Sequence, residues 1–275
     1  MYNSLAMISK SFSYLKFAFK NFRNPFIIFK LLINSSQQRN YTVTLKKGIK
    51  LSLRPSRQVT VCDLDILEEN LNQDQYNLVK LIKKGDTIVD IGAHIGIFSI
   101  MAAKISEYGQ VFSFEPEESN YLLLQKNISL NKLKNLRFFN KAVTSKGGKV
   151  KLVISPNNKG AHTLLGQGDQ FQEVSAVTLT EIINFIGGNN INLLKLDCEG
   201  SEYDILLNAE PKDLRRIDKI IMEVHETPYT GNYNAKLLYQ HLTMHGFTIQ
   251  VIKTIVYPTE GVFYIINAKR GSVVF

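Results

Sequence analysis

Carboxylates standing where a buried strand runs out are the residues of this chain best placed to do chemistry. In LLKLDCEGSEYDIL, residues 193–206, an apolar run ends at Asp197, and in extended geometry Glu199 points to the same side. Gly200 then breaks the strand, and Ser201 can cap a helix whose first turn holds Glu202 and Asp204. Acids that directly end a buried strand are costly to desolvate unless something pairs with them. Asp197 and Glu199 therefore read as functional, while capping chemistry alone explains Asp204. His225 follows a second strand-like run at 220–224 and is either a proton carrier or a satisfied core histidine.

A second group of residues reads as a ligand cradle. Residues 86–116, DTIVDIGAHIGIFSIMAAKISEYGQVFSFEP, give a strand, a glycine turn, a helix and a second strand ending in Glu115. Gly92 permits backbone angles that a side chain would forbid, and Gly96 lets the helix start pack closely. Glu115 lies about 20 residues beyond the turn, where a carboxylate suits a ribose diol. A dinucleotide fold wants G-x-G-x-x-G so that pyrophosphate sits on the helix N-terminus, whereas here three residues separate the glycines and Asp90 precedes them. That acid would repel pyrophosphate and attract an ammonium. The stretch resembles the first motif of class I S-adenosylmethionine-dependent methyltransferases.

These residues need a scaffold, and the pattern supplies strands and helices in alternation. Strands are expected at 87–90, 110–114, 136–139, 193–196, 220–224, 247–251 and 262–266, with helices at 97–104, 117–130, 203–207 and 235–245 between them. This predicts an α/β, doubly wound, mainly parallel sheet with helices on both faces and a late antiparallel strand. Ligands of such sheets sit at the carboxyl ends of strands near the topological switch, which here are Asp90, Glu115, Asn140, Asp197 and His225. Residues 149–154 read as an added β segment, and 156–168 as a mobile loop that, with 229–233, shapes a pocket.

The 275 residues, 44% hydrophobic and 21% charged, suit one soluble α/β core with an appendage. Two distant cysteines, Cys62 and Cys198, match no zinc or redox spacing and suggest a reducing compartment. The net charge of +9 is N-terminal: residues 1–62 carry 11 of the 33 Lys and Arg and none of the 24 acids, leaving the remainder near −2. A nucleic-acid partner is therefore not expected. In the arm, Leu5, Ile8, Phe12, Leu15, Phe19 and Phe22 recur at helical spacing among Lys10, Lys16, Lys20 and Arg23. Residues 1–40 thus either dock on an anionic membrane surface or form a helical cap with solvated lysines. The run FIIFKLLI is too short to span a bilayer, no signal peptide is expected, and 41–45 and 49–53 form a hairpin around Lys47-Gly48. The expected location is the cytoplasm, with peripheral membrane contact as an option.

Together DIGAHIGIF, FSFEP, NKAV, VTLTEII, LLKLDCEGSEYDIL and IIMEVHE resemble the FkbM-like methyltransferases and lie in that family's order over residues 60–266. KLDCEGSE is the most specific part. The resemblance implies a Rossmann-like, seven-stranded class I domain at 61–275 behind an N-terminal extension at 1–60. It also implies S-adenosylmethionine as cofactor and transfer to a hydroxyl of a sugar, glycan, lipid-linked or polyketide-type acceptor. Carried over by position, Asp90, Gly92, Ala93 and Gly96 would line the methionine end. His94 stands where the family usually has Asn. Glu115 would take both ribose hydroxyls, and Asn140 and Ala142 would border adenine. Asp197 and Glu199 would sit near sulfonium and acceptor, with Asp197, Glu199 or His225 as base, and no metal is expected. The alternative is a non-catalytic S-adenosylmethionine-binding or membrane-tethered module of the same fold.

Overall fold

The computed structural model describes residues 2–33, 40–55, 63–72, 78–154, 163–164, 170–227, 230–257 and 261–271. The chain opens with α1 (Tyr2–Asn21), α2 (Ile27–Ile33), the strands β1 (Tyr41–Thr44) and β2 (Lys50–Leu53), α3 (Asp63–Asn72) and α4 (Leu78–Leu81). β1 and β2 pair antiparallel, and their turn uses Gly48 at positive φ, as the Lys47-Gly48 signal requires.

The alternating part begins with β3 (Thr87–Ile91), α5 (Ile97–Ser106), β4 (Gln110–Phe114), α6 (Glu118–Asn131) and β5 (Leu136–Phe139). A small three-stranded sheet follows, made of β6 (Ala142–Val143), β7 (Gly148–Val153) and β8 (Phe171–Val177). Then come α7 (Leu179–Phe185), β9 (Leu193–Leu196), α8 (Ser201–Leu207), α9 (Pro211–Leu214), β10 (Lys219–Glu226), α10 (Ala235–Met244), β11 (Phe247–Tyr257) and β12 (Gly261–Arg270). The main sheet has seven strands in the order β11-β12-β10-β9-β3-β4-β5. β12 pairs antiparallel with both neighbours, and the other pairings are parallel. This is the doubly wound class I methyltransferase architecture.

Central strands are apolar runs because both their faces are covered; β9 is buried at every residue. The pleat then sorts them. Ile88, Val111, Leu193, Ile221 and Ile265 face a core shared with α1, α2, the β1–β2 hairpin, α5 and α6. Val89, Phe112, Leu194, Met222 and Ile266 face the opposite core with α7, α8, α9 and α10. Tyr14, Phe17, Phe22, Ile28 and Leu31 belong to the first core, so the N-terminal extension packs into it.

Helix starts follow their capping chemistry. Glu117 caps α6 through the Ser119 and Asn120 amides, Thr178 and Glu181 form a capping box on α7, and Asn234 caps α10. Two expectations needed extension. The strands expected at 247–251 and 262–266 are a longer hairpin whose outer member, β11, is a sheet edge. Its pairing shifts between Val251 and Lys253, which leaves Ile252 as a bulged residue. The loop expected at 156–168 lies outside the described residues except for Thr163 and Leu164, as does Cys62. No helix among the described residues is long and apolar enough to cross a membrane.

Candidate active site

One face of the sheet gathers nearly all the ionisable residues singled out above. In β3 and β9, Asp90 and Lys195 are register partners, and Ile221 of β10 lies opposite Lys195. The two-residue period that sends Ile88, Leu193 and Ile221 to the first core therefore sends Asp90, Lys195, Glu223 and His225 to the same face. Lys195 binds three groups at once: Asp90 Oδ1 at 3.2 Å, Asp197 Oδ2 at 3.5 Å and, as donor, the Gly92 carbonyl at 2.8 Å. Burial alone would lower the Lys195 pKa, but Asp90 and Asp197 outweigh it and raise it. The lysine is a fixed cation.

Asp90 is wholly buried, and its other oxygen accepts from Ser99 Oγ. Its carboxylate is thus committed to Lys195 and α5, a reason for an acid ahead of the turn that differs from the ammonium partner expected above. Gly92 and Gly96 both have positive φ. A Cβ on Gly92 would strike the Asp197 carbonyl oxygen, and one on Gly96 would strike Leu124 of α6. These glycines bring β3, β9 and α6 close together. His94 also has positive φ, a conformation in which Asn and His are over-represented, so a histidine suits this turn.

At the end of β4, Glu115 is nearly buried. It accepts from the His94 amide at 2.8 Å, the Glu117 amide at 3.0 Å and Asn120 Nδ2. Burial pushes its carboxyl up to about 7 against the pull of these donors. Asn140 donates to the carbonyls of Glu115 and Pro116 and fixes this turn, and Ala93, in the glycine turn after β3, donates its amide to the Phe114 carbonyl. Ala142, two residues beyond Asn140, is buried in β6 beside β8.

The acidic crevice lies where β9 and β10 end. His225 is 3% exposed; its Nδ1 donates to Glu202 Oε1 at 3.3 Å, and its Nε2 faces Glu199 at 3.6 Å and Glu223 at 3.9 Å. Burial would lower the imidazole pKa, but Glu199, Glu202 and Glu223 raise it well above its ordinary value. Glu199 is pushed up to about 8 by burial, with His225 opposing and Asp197 and Glu223 reinforcing. Glu223 is pushed up to about 7 by burial and neighbouring acids, and the outward-lying Glu69 of α3 adds a further acid near Glu223 and Asp197. Glu202 is fully buried and also accepts from the Cys198 amide at 2.8 Å, so it braces both the strand end and the ring. Burial raises the Cys198 thiol, which removes it as a thiolate nucleophile. Glu199 has positive φ, and its carbonyl accepts from Thr163 Oγ1 at 2.8 Å, which ties Thr163 to the site.

The donor set fits a cationic ligand. Asp197, whose backbone meets Gly92, keeps 33% of its side chain open to a sulfonium or ammonium, and Glu199 keeps 26%. Asp197, Glu223 and His225 also offer ligand atoms within 4.8 Å of one another, the spacing of a metal site.

Sequence reasoning passed over Glu202 as a possible helix-start acid and missed Glu223, Glu69, Arg54 and Asp63. The parity of EVH within IIMEVHE, which places Glu223 and His225 on one face, would have found Glu223. Arg54 pairs with Asp63 at 2.6 Å and reaches His94 Nε2 at 3.1 Å, a contact across 40 residues that no local pattern reveals. A separate cleft of about 300 Å³ opens at the opposite ends of β3 and β4, lined by Tyr108, Arg137 and Phe185, away from this chemistry.

The methyltransferase FkbM domain family matches residues 90–252. "Methyltransferase 1" of Beauveria bassiana is 24% identical over 206 residues, covering 67% of this chain and 81% of that protein. "31-O-demethyl-FK506 methyltransferase FkbM" of Streptomyces tacrolimicus is 26% identical over 199 residues, covering 61% and 75%. Among solved structures, an rRNA methylase from Streptococcus thermophilus aligns at 10% identity and a TM-score of 0.46, covering 72% of this chain and 95% of that one.

Proposed function

Because the chain belongs to the methyltransferase FkbM family, whose methyl donor is S-adenosylmethionine, we propose that it methylates a hydroxyl oxygen of a small-molecule, sugar, glycan or lipid-linked acceptor in the crevice at the ends of β9 and β10. The observation that carries this reading is the convergence of Glu199 and Glu223 on His225, with buried Glu202 behind the ring. An alcohol must shed a proton as it is alkylated, so an oxygen-directed enzyme gains from a base at the reacting centre. The Streptomyces tacrolimicus relative, named for a 31-O-demethyl-FK506 substrate, supports oxygen as the acceptor atom. The charge of the chain beyond residue 62, near −2, speaks against nucleic acid as the acceptor.

Bound S-adenosylmethionine supplies a methyl group already activated on a sulfonium cation. The chain's own residues then position, neutralise and deprotonate. Glu115 and the 92–96 turn would hold the nucleoside and methionine ends, and alignment of donor and acceptor is worth up to about 7–11 kcal/mol in favourable cases. Asp197, kept in place by Lys195, lays negative charge beside the donor. Glu199 takes the hydroxyl proton once it is ionised, and His225, held as imidazolium by Glu202 and Glu199, steadies that charge.

A crevice holding an imidazolium beside a cationic donor disfavours a divalent ion at Asp197, Glu223 and His225. Turnover is expected to survive chelation by EDTA; loss of turnover that magnesium restores would reassign these three residues to a cation. The function itself is tested by incubating purified protein, labelled methyl donor and fractionated extracts, then locating the label by mass spectrometry and NMR. A methyl ether is expected. Label on nitrogen or carbon would overturn the oxygen assignment, and donor binding without transfer in any fraction would favour the non-catalytic module.

A further inference from the structure

The α1–α2 hairpin presents two faces of unlike chemistry. Inward, Tyr14, Phe17, Ala18, Phe22, Ile28 and Leu31 are buried in the core shared with the sheet. Outward, Phe12, Phe19, Phe26 and Phe29 are 64%, 49%, 64% and 45% exposed. Phe19 and Phe26 meet edge to face at 5.7 Å across the turn between the helices, so the exposed rings form a ridge and not isolated spots. Lys16, Lys20 and Lys30 are exposed on the same two helices and Arg23 on the turn between them, and residues 1–62 contain no acid at all. The helical-cap and membrane readings of this arm are therefore compatible, since each uses a different face.

We infer that the α1–α2 hairpin docks the protein on an anionic lipid surface, with the four phenylalanines entering the headgroup boundary and the basic side chains meeting lipid phosphates. Charge selects this occupant. The arm sets protruding aromatic rings beside cations and supplies no carboxylate of its own, and the acids that reach α1 from α3, Asp65 and Glu68, bind Lys10 and Ser13; such a face matches an interface that is apolar below and anionic above. A second copy of the chain would bring the same positive charge to the contact and be repelled. The inference does not depend on the acceptor or on the methyl-transfer reading.

The test is sedimentation of the full-length protein with vesicles of phosphatidylcholine alone and of phosphatidylcholine mixed with phosphatidylglycerol. Recovery with the anionic vesicles only, reduced at high salt, is expected. A variant carrying Phe12→Ser, Phe19→Ser, Phe26→Ser and Phe29→Ser should keep the wild-type circular dichroism and melting curve while losing at least about tenfold in vesicle affinity. A second variant, with Lys16→Glu, Lys20→Glu, Arg23→Glu and Lys30→Glu, should lose the preference for anionic lipid. Equal recovery of wild type on both vesicle types, or unchanged binding by the phenylalanine variant, would overturn the inference. So would dimerisation in analytical ultracentrifugation that the phenylalanine variant abolishes, if wild type ignores vesicles.

Discussion

At the residue scale, two raised carboxyls make demands on pH that can be measured separately. Glu115, pushed up to about 7 by burial, must be ionised to accept ribose hydroxyls. Affinity for S-adenosylhomocysteine is then expected to rise about tenfold between pH 6 and 8 in calorimetric titrations, and Glu115→Gln should bind weakly with no such rise. The same shift works against the fold: a buried acid with a raised pKa removes stability as pH climbs from its unfolded value of 4.5 through about 7, and the glutamine variant should lack that loss. Glu199, pushed up to about 8, is the proposed base, so kcat/KM should increase with pH through about 8. Glu199→Gln is expected to lower kcat by roughly 10² to 10⁴ and erase this limb. A variant retaining the limb would move the role to His225, whose pKa its neighbouring glutamates also raise. Asp197, Glu199 and His225 were legible because each sits where a strand pattern stops. Glu69, Arg54 and Asp63 were not, because they reach the site from elements distant in sequence, and only the folded chain sets those neighbours.

At the element scale, the glycine turn after β3 is the tightest joint in the scaffold. Gly92→Ala combines positive φ with a collision against the Asp197 carbonyl, so it should lower unfolding free energy by about 2–4 kcal/mol and weaken cofactor binding. Gly148→Ala shares the positive φ but meets nothing nearby, and should lose only about 1 kcal/mol. Denaturant titration of both variants separates strain from collision; equal losses would show that the close approach of β3 to β9 matters little. The strands flanking this joint were readable to the residue, with β4, β5 and β9 beginning and ending where their apolar runs do. β8 escaped notice because its residues alternate between exposed and buried positions, so FQEVSAV lacks the continuous apolar signature of a central strand. The short β6 and α9 offer too few residues for any period to register.

At the scale of the whole molecule, the N-terminal helices are structural as well as basic. Tyr14, Phe17, Phe22, Ile28 and Leu31 are each buried in the sheet's own core. Removing residues 1–33 would expose partners of side chains worth about 1.5–3 kcal/mol apiece, together comparable to a typical net stability of about 5–15 kcal/mol. The truncated chain is expected to be insoluble or to lack a cooperative melting transition, and a soluble, cooperatively melting product would show that the core closes without them. The charge asymmetry of the arm was plain from sequence, whereas its division into a packed and a free face required the coordinates, because Phe17 and Phe19 are chemically identical and differ only in direction. The far edge of the main sheet carries a quieter safeguard. β11 leaves Val251, Ile252 and Val256 substantially exposed, the composition of a strand that templates fibrillar growth. Its one surplus residue at Ile252 breaks the regular comb of amides and carbonyls, so a second chain arriving edge-on finds no straight zipper to extend.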